Sequence, residues 1–276
     1  YQIDKGVFFM NEKILKTKSN GFAALFFIVL MIIVAIASFI SSIAFLKNEA
    51  LAVVGVLLSI FLFIGSIISF GGLKVVKPQE AIVLTLFGDY TGTIKEPGFY
   101  FVNPFSVAVN PASKTKLGQS GDVDRQNTSI SINNSGIEAN LDAFKKHISL
   151  KIMTLNNSRQ KINDCLGNPV EIGIAVTWKV VDTAKAVFNV DNYKEYLSLQ
   201  CDSALRNIVR IYPYDVAPNV DTTGDGIADE GSLRGSSEVV AKRIRDEIQA
   251  RVENAGLEII EARITYLAYA PEIAAV

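Results

Sequence analysis

The most constraining feature of this sequence is an almost uninterrupted apolar stretch over residues 19–73, broken only by the polar residues 47–49. Residues 21–46 carry no charge, and residues 51–70 repeat the pattern. Each segment reaches the ~20 residues that a helix needs to cross about 30 Å of hydrocarbon. A buried hairpin of a soluble core would keep a polar stripe, and a cleaved signal peptide would not be followed at once by a second span. The stretch therefore predicts two transmembrane helices, at 21–46 and 51–70.

Lysines around the two spans predict their orientation. Four lysines precede the first span, one lies in the turn and two follow the second span: Lys5, Lys13, Lys16, Lys18, Lys47, Lys74 and Lys77. Lysine near a span end resists translocation, so the lysine-rich ends face the cytoplasm. Residues 1–20 are then a cytoplasmic tail, and everything after the hairpin is cytoplasmic too. Small residues in the second span favour close packing, either within the hairpin or with neighbouring copies: Gly55, Ser59, Gly65 and Ser66.

Composition argues against several functional classes. The net charge of −1 over 276 residues does not provide the broad positive field of a nucleic-acid-binding protein. Cys165 and Cys201 are far apart and do not suggest a disulfide framework. The single histidine, His147, falls on the polar side of a predicted strand, and the chain lacks the common hydrolase, zinc-protease, nucleotide-binding and Cys-x-x-Cys motifs. We therefore predict no enzyme activity and no catalytic, cofactor-binding or metal-binding residue.

The chain after the spans shows strand patterns first. Alternating or β-branched runs predict strands at residues 75–88, 146–153, 170–180 and 257–267. Residues 89–95 and 166–169 are predicted to be turns, and residues 106–143 a long surface excursion with a small hairpin at 128–132.

Residues 99–105 are apolar on both faces, which is typical of a strand between two layers or of a strand in contact with lipid. Because the second span ends shortly upstream, one hypothesis is that this run rests on or dips into the lipid headgroup layer. Phe101 and Phe105 would then contact lipid. The alternative is ordinary core packing.

Helical periodicity begins at residue 182. Residues 182–188 predict a short helix, and Asn192 starts a longer one with a stripe of Tyr193, Leu197, Cys201, Ala204, Leu205, Ile208 and Val209. Residues 238–254 predict a helix with an apolar face of Val240, Ile244, Ile248 and Val252 and a polar face of Lys242, Arg243, Arg245, Asp246, Glu247 and Arg251. That polar face is either a contact surface between copies or a solvated surface. The order of the elements, strands followed by two helices and a returning strand, predicts an α+β fold.

An acidic loop resembles a calcium-binding repeat. Oxygen-bearing side chains stand at loop positions 1, 3, 5 and 9, with glycine at 6, as Asp221, Thr223, Asp225, Asp229 and Gly226. Position 12 is Ser232, where a bidentate acid is expected. The loop over residues 221–230 is therefore either a calcium site or a solvated acidic turn.

Six short motifs in order resemble the SPFH or band 7 superfamily of stomatins, prohibitins and flotillins. They are Val-Lys-Pro-Gln-Glu at 76–80, the Glu-Pro-Gly-Phe to Asn-Pro-Phe segment at 96–105, Gly-Asn-Pro-Val-Glu-Ile at 167–172, Thr-Trp-Lys-Val-Val-Asp at 177–182, Ser-Ala-Leu-Arg at 203–206 and Tyr-Pro-Tyr-Asp at 212–215. The likeness is greatest to bacterial SPFH-domain membrane proteins. It implies two small α+β lobes, at 74–165 and 166–270, and a C-terminal helix or coiled coil that begins at 271–276.

The same resemblance implies a role in assembly at the inner (plasma) membrane. The leading hypothesis is a multi-pass scaffold that homo-oligomerises into a large ring or cage and organises a membrane microdomain. The alternative is a regulatory subunit that restrains a membrane protease or channel. A third hypothesis is an assembly gated by calcium at residues 221–230. The expected partners are further copies of the chain and the lipid bilayer, and under the alternative a membrane protease or other membrane protein, with no nucleic acid.

Overall fold

The computed structural model of this chain describes residues 11–16, 19–44, 49–117, 123–125, 146–157, 159–215 and 231–274. Two compact units divide the chain: residues 13–109, which we call the anchor unit, and residues 1–12 with 110–276, which we call the sheet–helix unit. The predicted hairpin at 128–132 and the calcium-like loop at 221–230 lie outside the described residues. The lobe boundary between residues 165 and 166 stays a prediction.

The anchor unit begins with helices α1 (Gly21–Ala44) and α2 (Glu49–Phe70), which confirm the two predicted apolar helices. Both are long and apolar enough to cross a membrane, and only 11% of each apolar window is buried. The buried residues of α1 recur every seven positions at Gly21, Ile28, Ala35 and Ser42, the spacing of helices that pack along a shared seam. Apolar side chains therefore cover most of the remaining surface of both helices.

Polar groups within α2 are satisfied inside the helix. The hydroxyls of Ser59 and Ser66 donate to the carbonyl oxygens of Val56 and Leu62, both at 2.8 Å. These two serines are buried, whereas a Cβ atom added at Gly65 would meet no heavy atom within 4 Å. Hydroxyls that bond to their own helix leave no unsatisfied donor for the hydrocarbon layer.

Five strands follow the helices in the anchor unit. Strand β1 (Leu73–Val76) pairs antiparallel with β4 (Gly98–Phe101), and β2 (Glu80–Leu86) lies between β3 (Asp89–Ile94) and β5 (Val107–Ala108). Their core contains Val76, Ile82, Leu84, Ile94 and Tyr100.

The sequence-based prediction of one strand over 75–88 and a turn over 89–95 was wrong. A turn closed by the Glu80 N–H and the Lys77 carbonyl, 3.1 Å apart, separates β1 from β2. A two-residue turn at Phe87 and Gly88 then returns the chain as β3. Both turns need a positive φ at a residue other than glycine, +61° at Gln79 and +51° at Phe87, and residue-type patterns do not signal such a turn.

The sheet–helix unit is built on a long antiparallel pair, β11 (Pro169–Val180) and β12 (Leu257–Tyr269). The other side of β11 pairs with β10 (Gln160–Asn163) and β9 (Met153–Asn156). Shorter strands in this unit are β6 (Thr115–Leu117), β7 (Val123–Arg125) and β8 (Ile148–Ser149). The single strand predicted at 146–153 is two strands, and β10 was not predicted, because these pieces are too short to show a clear alternation.

The predicted helices of this unit are confirmed. Helix α3 (Thr183–Phe188) is capped by Asp182, and α4 (Tyr193–Val209) is capped by Asn192. All seven residues of the predicted α4 stripe are buried. The apolar face of α5 (Ser237–Val252) is fully buried, and a short α6 (Pro271–Ala274) follows β12. The observed class is α+β, as predicted.

Candidate functional site: membrane and assembly surfaces

The strands of the anchor unit are tied to the first turn of α1. The rings of Phe22 and Phe99 meet edge to face with centroids 5.1 Å apart. A Cβ atom at Gly21 would lie 2.5 Å from the Phe99 ring, so only glycine permits this approach. The Phe101 N–H donates to Asn20 Oδ1 at 3.1 Å. Strand β4 is therefore fixed beside the first residues of an apolar helix.

The loop after β4 lies at the end of α2. The Val102 N–H donates to the Gly72 carbonyl at 2.9 Å. A Cβ atom at Gly71 would be 3.3 Å from the Pro104 carbonyl oxygen. The loop over residues 102–104 thus touches the residues that directly follow the apolar helix.

The structure separates the members of the apolar run at 99–105. Tyr100 is buried and Phe99 and Phe101 are half-buried within the anchor unit, whereas Phe105 is 57% exposed. Tyr100 belongs to the core of the anchor unit, whereas the Phe99 ring meets Phe22 of α1 and the Phe101 ring lies beside Gly72. Phe105 is the large apolar side chain of the run that projects outward, and its contact with lipid stays a proposal.

Phe87 is a second outward aromatic residue, which the sequence reasoning missed. It is 88% exposed, and its ring stacks on Phe105 with centroids 6.2 Å apart and planes inclined by 26°. The signal available in the sequence was the Phe87–Gly88 dipeptide between two β-prone segments, where a turn usually carries Asn or Asp before glycine.

A groove between α5 and β12 is the candidate assembly surface of the sheet–helix unit. It encloses about 600 Å³ and is lined on the helix by Ser237, Glu238, Ala241, Lys242 and Arg245, and on the strand by residues 260–264. Among the described residues, β12 pairs on one side only, with β11, so its other edge adjoins the groove.

Side chains of α5 occupy the beginning of that strand edge. Arg245 Nε donates to the Ile259 carbonyl at 3.2 Å, and Gln249 Oε1 accepts the Ile259 N–H at 2.7 Å. Further along β12, the wall of the groove is formed by residues 260–264, with Glu261 and Arg263 exposed. Edge strands offer unpaired backbone groups to a second chain, which makes this stretch suitable for protein contact.

The charged residues on the predicted polar face of α5 have different surroundings. Arg251 forms a salt bridge with Glu247 at 2.7 Å and donates to Ser203 Oγ on α4, also at 2.7 Å. These contacts hold α5 against α4. Lys242 and Arg245 instead line the groove. Lys242, Arg243 and Asp246 are exposed charged residues of this face, and of these three Lys242 lines the groove.

The structure shows the surroundings of the histidine, the two cysteines and the serine that were considered for chemistry. His147 is half-buried, and its backbone carbonyl accepts a hydrogen bond from Asn110 Nδ2 at 2.8 Å. Burial raises the pKa of the Cys201 thiol, and burial together with Asp164 raises the pKa of the Cys165 thiol. A raised pKa lowers the thiolate fraction at neutral pH and disfavours nucleophilic chemistry.

Ser232, the twelfth position of the calcium-like loop, is buried and its Oγ accepts the Gly235 N–H at 2.8 Å.

Comparison with known proteins identifies one family over most of the chain. The model of the family described as SPFH domain / Band 7 family matches residues 74–276. No curated protein matches the chain. The matched region starts within β1, so it comprises the strands of the anchor unit and nearly all of the sheet–helix unit.

Proposed function

Because this chain belongs to the SPFH domain / Band 7 family, whose role is in general that of a membrane-associated scaffold or regulator, we propose that it is a structural scaffold that self-assembles on a membrane. Copies of the chain form a large ring or cage, and their paired helices enclose a patch of the bilayer. The sheet–helix unit lies on the cytoplasmic side of the inner (plasma) membrane. The protein carries out no catalysis in this proposal.

The main support for membrane association is the exposed apolar surface of α1 and α2. Only 11% of each apolar window is buried, and large side chains such as Phe22, Phe61 and Leu57 are 62% to 78% exposed. A soluble protein rarely exposes a continuous apolar surface of this length. Lipid, or lipid together with neighbouring copies, is the environment that fits both helices.

The groove between α5 and β12 supports the assembly part. It combines a strand edge with charges of both signs, including Glu238, Lys242 and Arg263. Such a mixed surface is suited to contacts between identical copies, in which an acid on one copy meets a base on the next. Weak contacts of this kind add up in a ring because each is made at high effective concentration.

Electron microscopy of the full-length chain, extracted in mild detergent, tests this proposal. We expect rings or cages of uniform size. Co-purification of a second protein in fixed stoichiometry, without large homo-oligomers, would instead support the regulator of a membrane protease or channel. A monodisperse single protomer would overturn the scaffold proposal.

A further inference from the structure

We propose that Phe87 and Phe105 form an aromatic pair that inserts into the lipid headgroup layer beside the end of α2. This inference rests on the proposed membrane anchoring and deepens it, because it assigns a second lipid contact outside the two helices.

The turn that carries Phe87 holds an exposed aromatic side chain on a residue with positive φ. Leu86 pairs with Asp89, so Phe87 and Gly88 form a two-residue hairpin turn with φ values of +51° and +100°. Such turns prefer Asn, Asp or Gly at the first position, and a bulky residue with positive φ is uncommon. The same side chain is 88% exposed. The steric cost of a positive φ is the same in water and in lipid, so the exposed ring is the feature that a lipid contact would explain.

The β2–β5 register explains why Phe87 meets Phe105. Leu84 pairs with Ala108 and Thr85 with Val107. Continuing this antiparallel register by two residues places Phe87 opposite Phe105, and the two rings stack at 6.2 Å. Val107 is 51% exposed. Phe87 lies in the turn after β2, Phe105 in the turn before β5 and Val107 at the start of β5, and we call these three exposed apolar residues the apolar strip.

The position of the strip identifies lipid as its occupant. Phe105 directly follows Pro104, whose carbonyl oxygen lies 3.3 Å from the Cβ position of Gly71. Gly71 is the first residue after α2. The strip therefore begins at the residue after Pro104, which touches the residue that directly follows the apolar helix. Apolar faces at the membrane interface bury about 5–10 Å into the boundary between headgroups and acyl chains.

Depth-dependent fluorescence quenching tests the inference in the full-length chain. Phe87→Trp is reconstituted into phosphatidylcholine and phosphatidylglycerol vesicles whose acyl chains are brominated near the headgroup. The native Trp178 is fully buried in the sheet–helix unit, so the parent protein supplies the background signal. We expect the added fluorescence to be blue-shifted and quenched by the brominated lipid, while the parent signal does not change.

Two outcomes would overturn the inference. Red-shifted emission that is insensitive to the brominated lipid would show that water surrounds position 87. Blue-shifted emission without quenching would show that a second copy covers the strip. Phe105→Trp reports on the same strip independently if the turn does not tolerate the larger ring. Adding Phe105→Asp to Phe87→Trp should reduce the quenching, because a carboxylate opposes insertion.

Failure of the aromatic-pair inference can be distinguished experimentally from failure of the proposed function. Flotation of the same vesicles on a density gradient reports whether the hairpin anchors the chain, and electron microscopy reports whether rings form. Floating protein without quenching refutes the aromatic pair alone. Quenching without rings retains the aromatic pair and refutes the scaffold.

Discussion

Asp164 joins two loops of the sheet–helix unit through its carboxylate. Oδ1 accepts the N–H groups of Leu166 and Asn168 at 2.9 and 2.7 Å, and Oδ2 accepts the Tyr214 N–H at 3.1 Å. The side chain is buried. The motifs at 167–172 and 212–215, which pointed to the family from sequence, therefore meet at one carboxylate. Their role is structural, since they fix how β11 begins and how the chain leaves α4.

Asp164→Ala should destabilise the protein by at least about 2 kcal/mol, because three backbone N–H groups lose a charged acceptor. Asp191→Ala is the matched control, since Asp191 is exposed. We expect the control to change stability by no more than about 0.5 kcal/mol. Urea unfolding of the detergent-solubilised chain, followed by the fluorescence of the single tryptophan, Trp178, measures both. Equal losses in the two variants would contradict this role for Asp164.

At the scale of secondary-structure elements, Gly256 decides how α5 passes into β12. Its φ is +67°, and its carbonyl accepts the N–H groups of Val181 and Asp182 at 3.0 and 3.1 Å. A Cβ atom here would lie 2.2 Å from the Asp182 carbonyl oxygen. The glycine thus ends the helix and also lets the start of β12 pass close to the end of β11.

Gly256→Ala should cost about 3 kcal/mol or more, because the strain of a left-handed conformation and a clash with backbone both apply. Gly167→Ala separates the two effects. Its φ is +88°, but a Cβ atom there meets no heavy atom within 4 Å. We expect a loss of about 1–2 kcal/mol for this variant, from the backbone conformation alone. Urea unfolding of both variants gives the comparison, and a smaller loss at Gly256 than at Gly167 would refute the clash.

At the scale of the whole molecule, the hairpin predicts which side of the membrane carries the SPFH domain. Two spans return the chain to the side of its lysine-rich tail, so Lys77 should be cytoplasmic. Lys77→Cys in a Cys165→Ser background leaves Cys201 as the native thiol, which is buried. We expect a membrane-impermeant thiol reagent to label this variant only after the cells are opened. Labelling of intact cells would show the reverse topology.

Assembly through the α5–β12 groove predicts a specific effect of charge. Lys242→Glu removes a base from the groove and adds an acid beside Glu238 and Glu261. We expect smaller oligomers, measured by sedimentation velocity in mild detergent. Lys151→Glu makes the same charge change at an exposed site that does not line the groove. The control should keep the parental size, and equal behaviour of the two variants would remove the groove from the assembly model.

The sequence alone determined the elements whose patterns are long and unambiguous, because these patterns depend on residues that are close together in the chain. The apolar helices α1 and α2, the seven-residue stripe of α4 and the buried face of α5 follow from periodicity within one segment. The α+β class and the family followed from the order of these elements and from the short motifs between them.

Tertiary structure alone decided features that depend on residues distant in sequence. The return of the chain as β3, the use of Asp164 as a shared acceptor and the stacking of Phe87 on Phe105 each require a partner from another segment. From the sequence, residues 99–105 were either a run in contact with lipid or part of the core, whereas the structure buries Tyr100, half-buries Phe99 and Phe101 and exposes Phe105 together with Phe87. The physical reason is that strand register and two positive-φ turns select which aromatic side chains face outward, and neither is encoded in local periodicity.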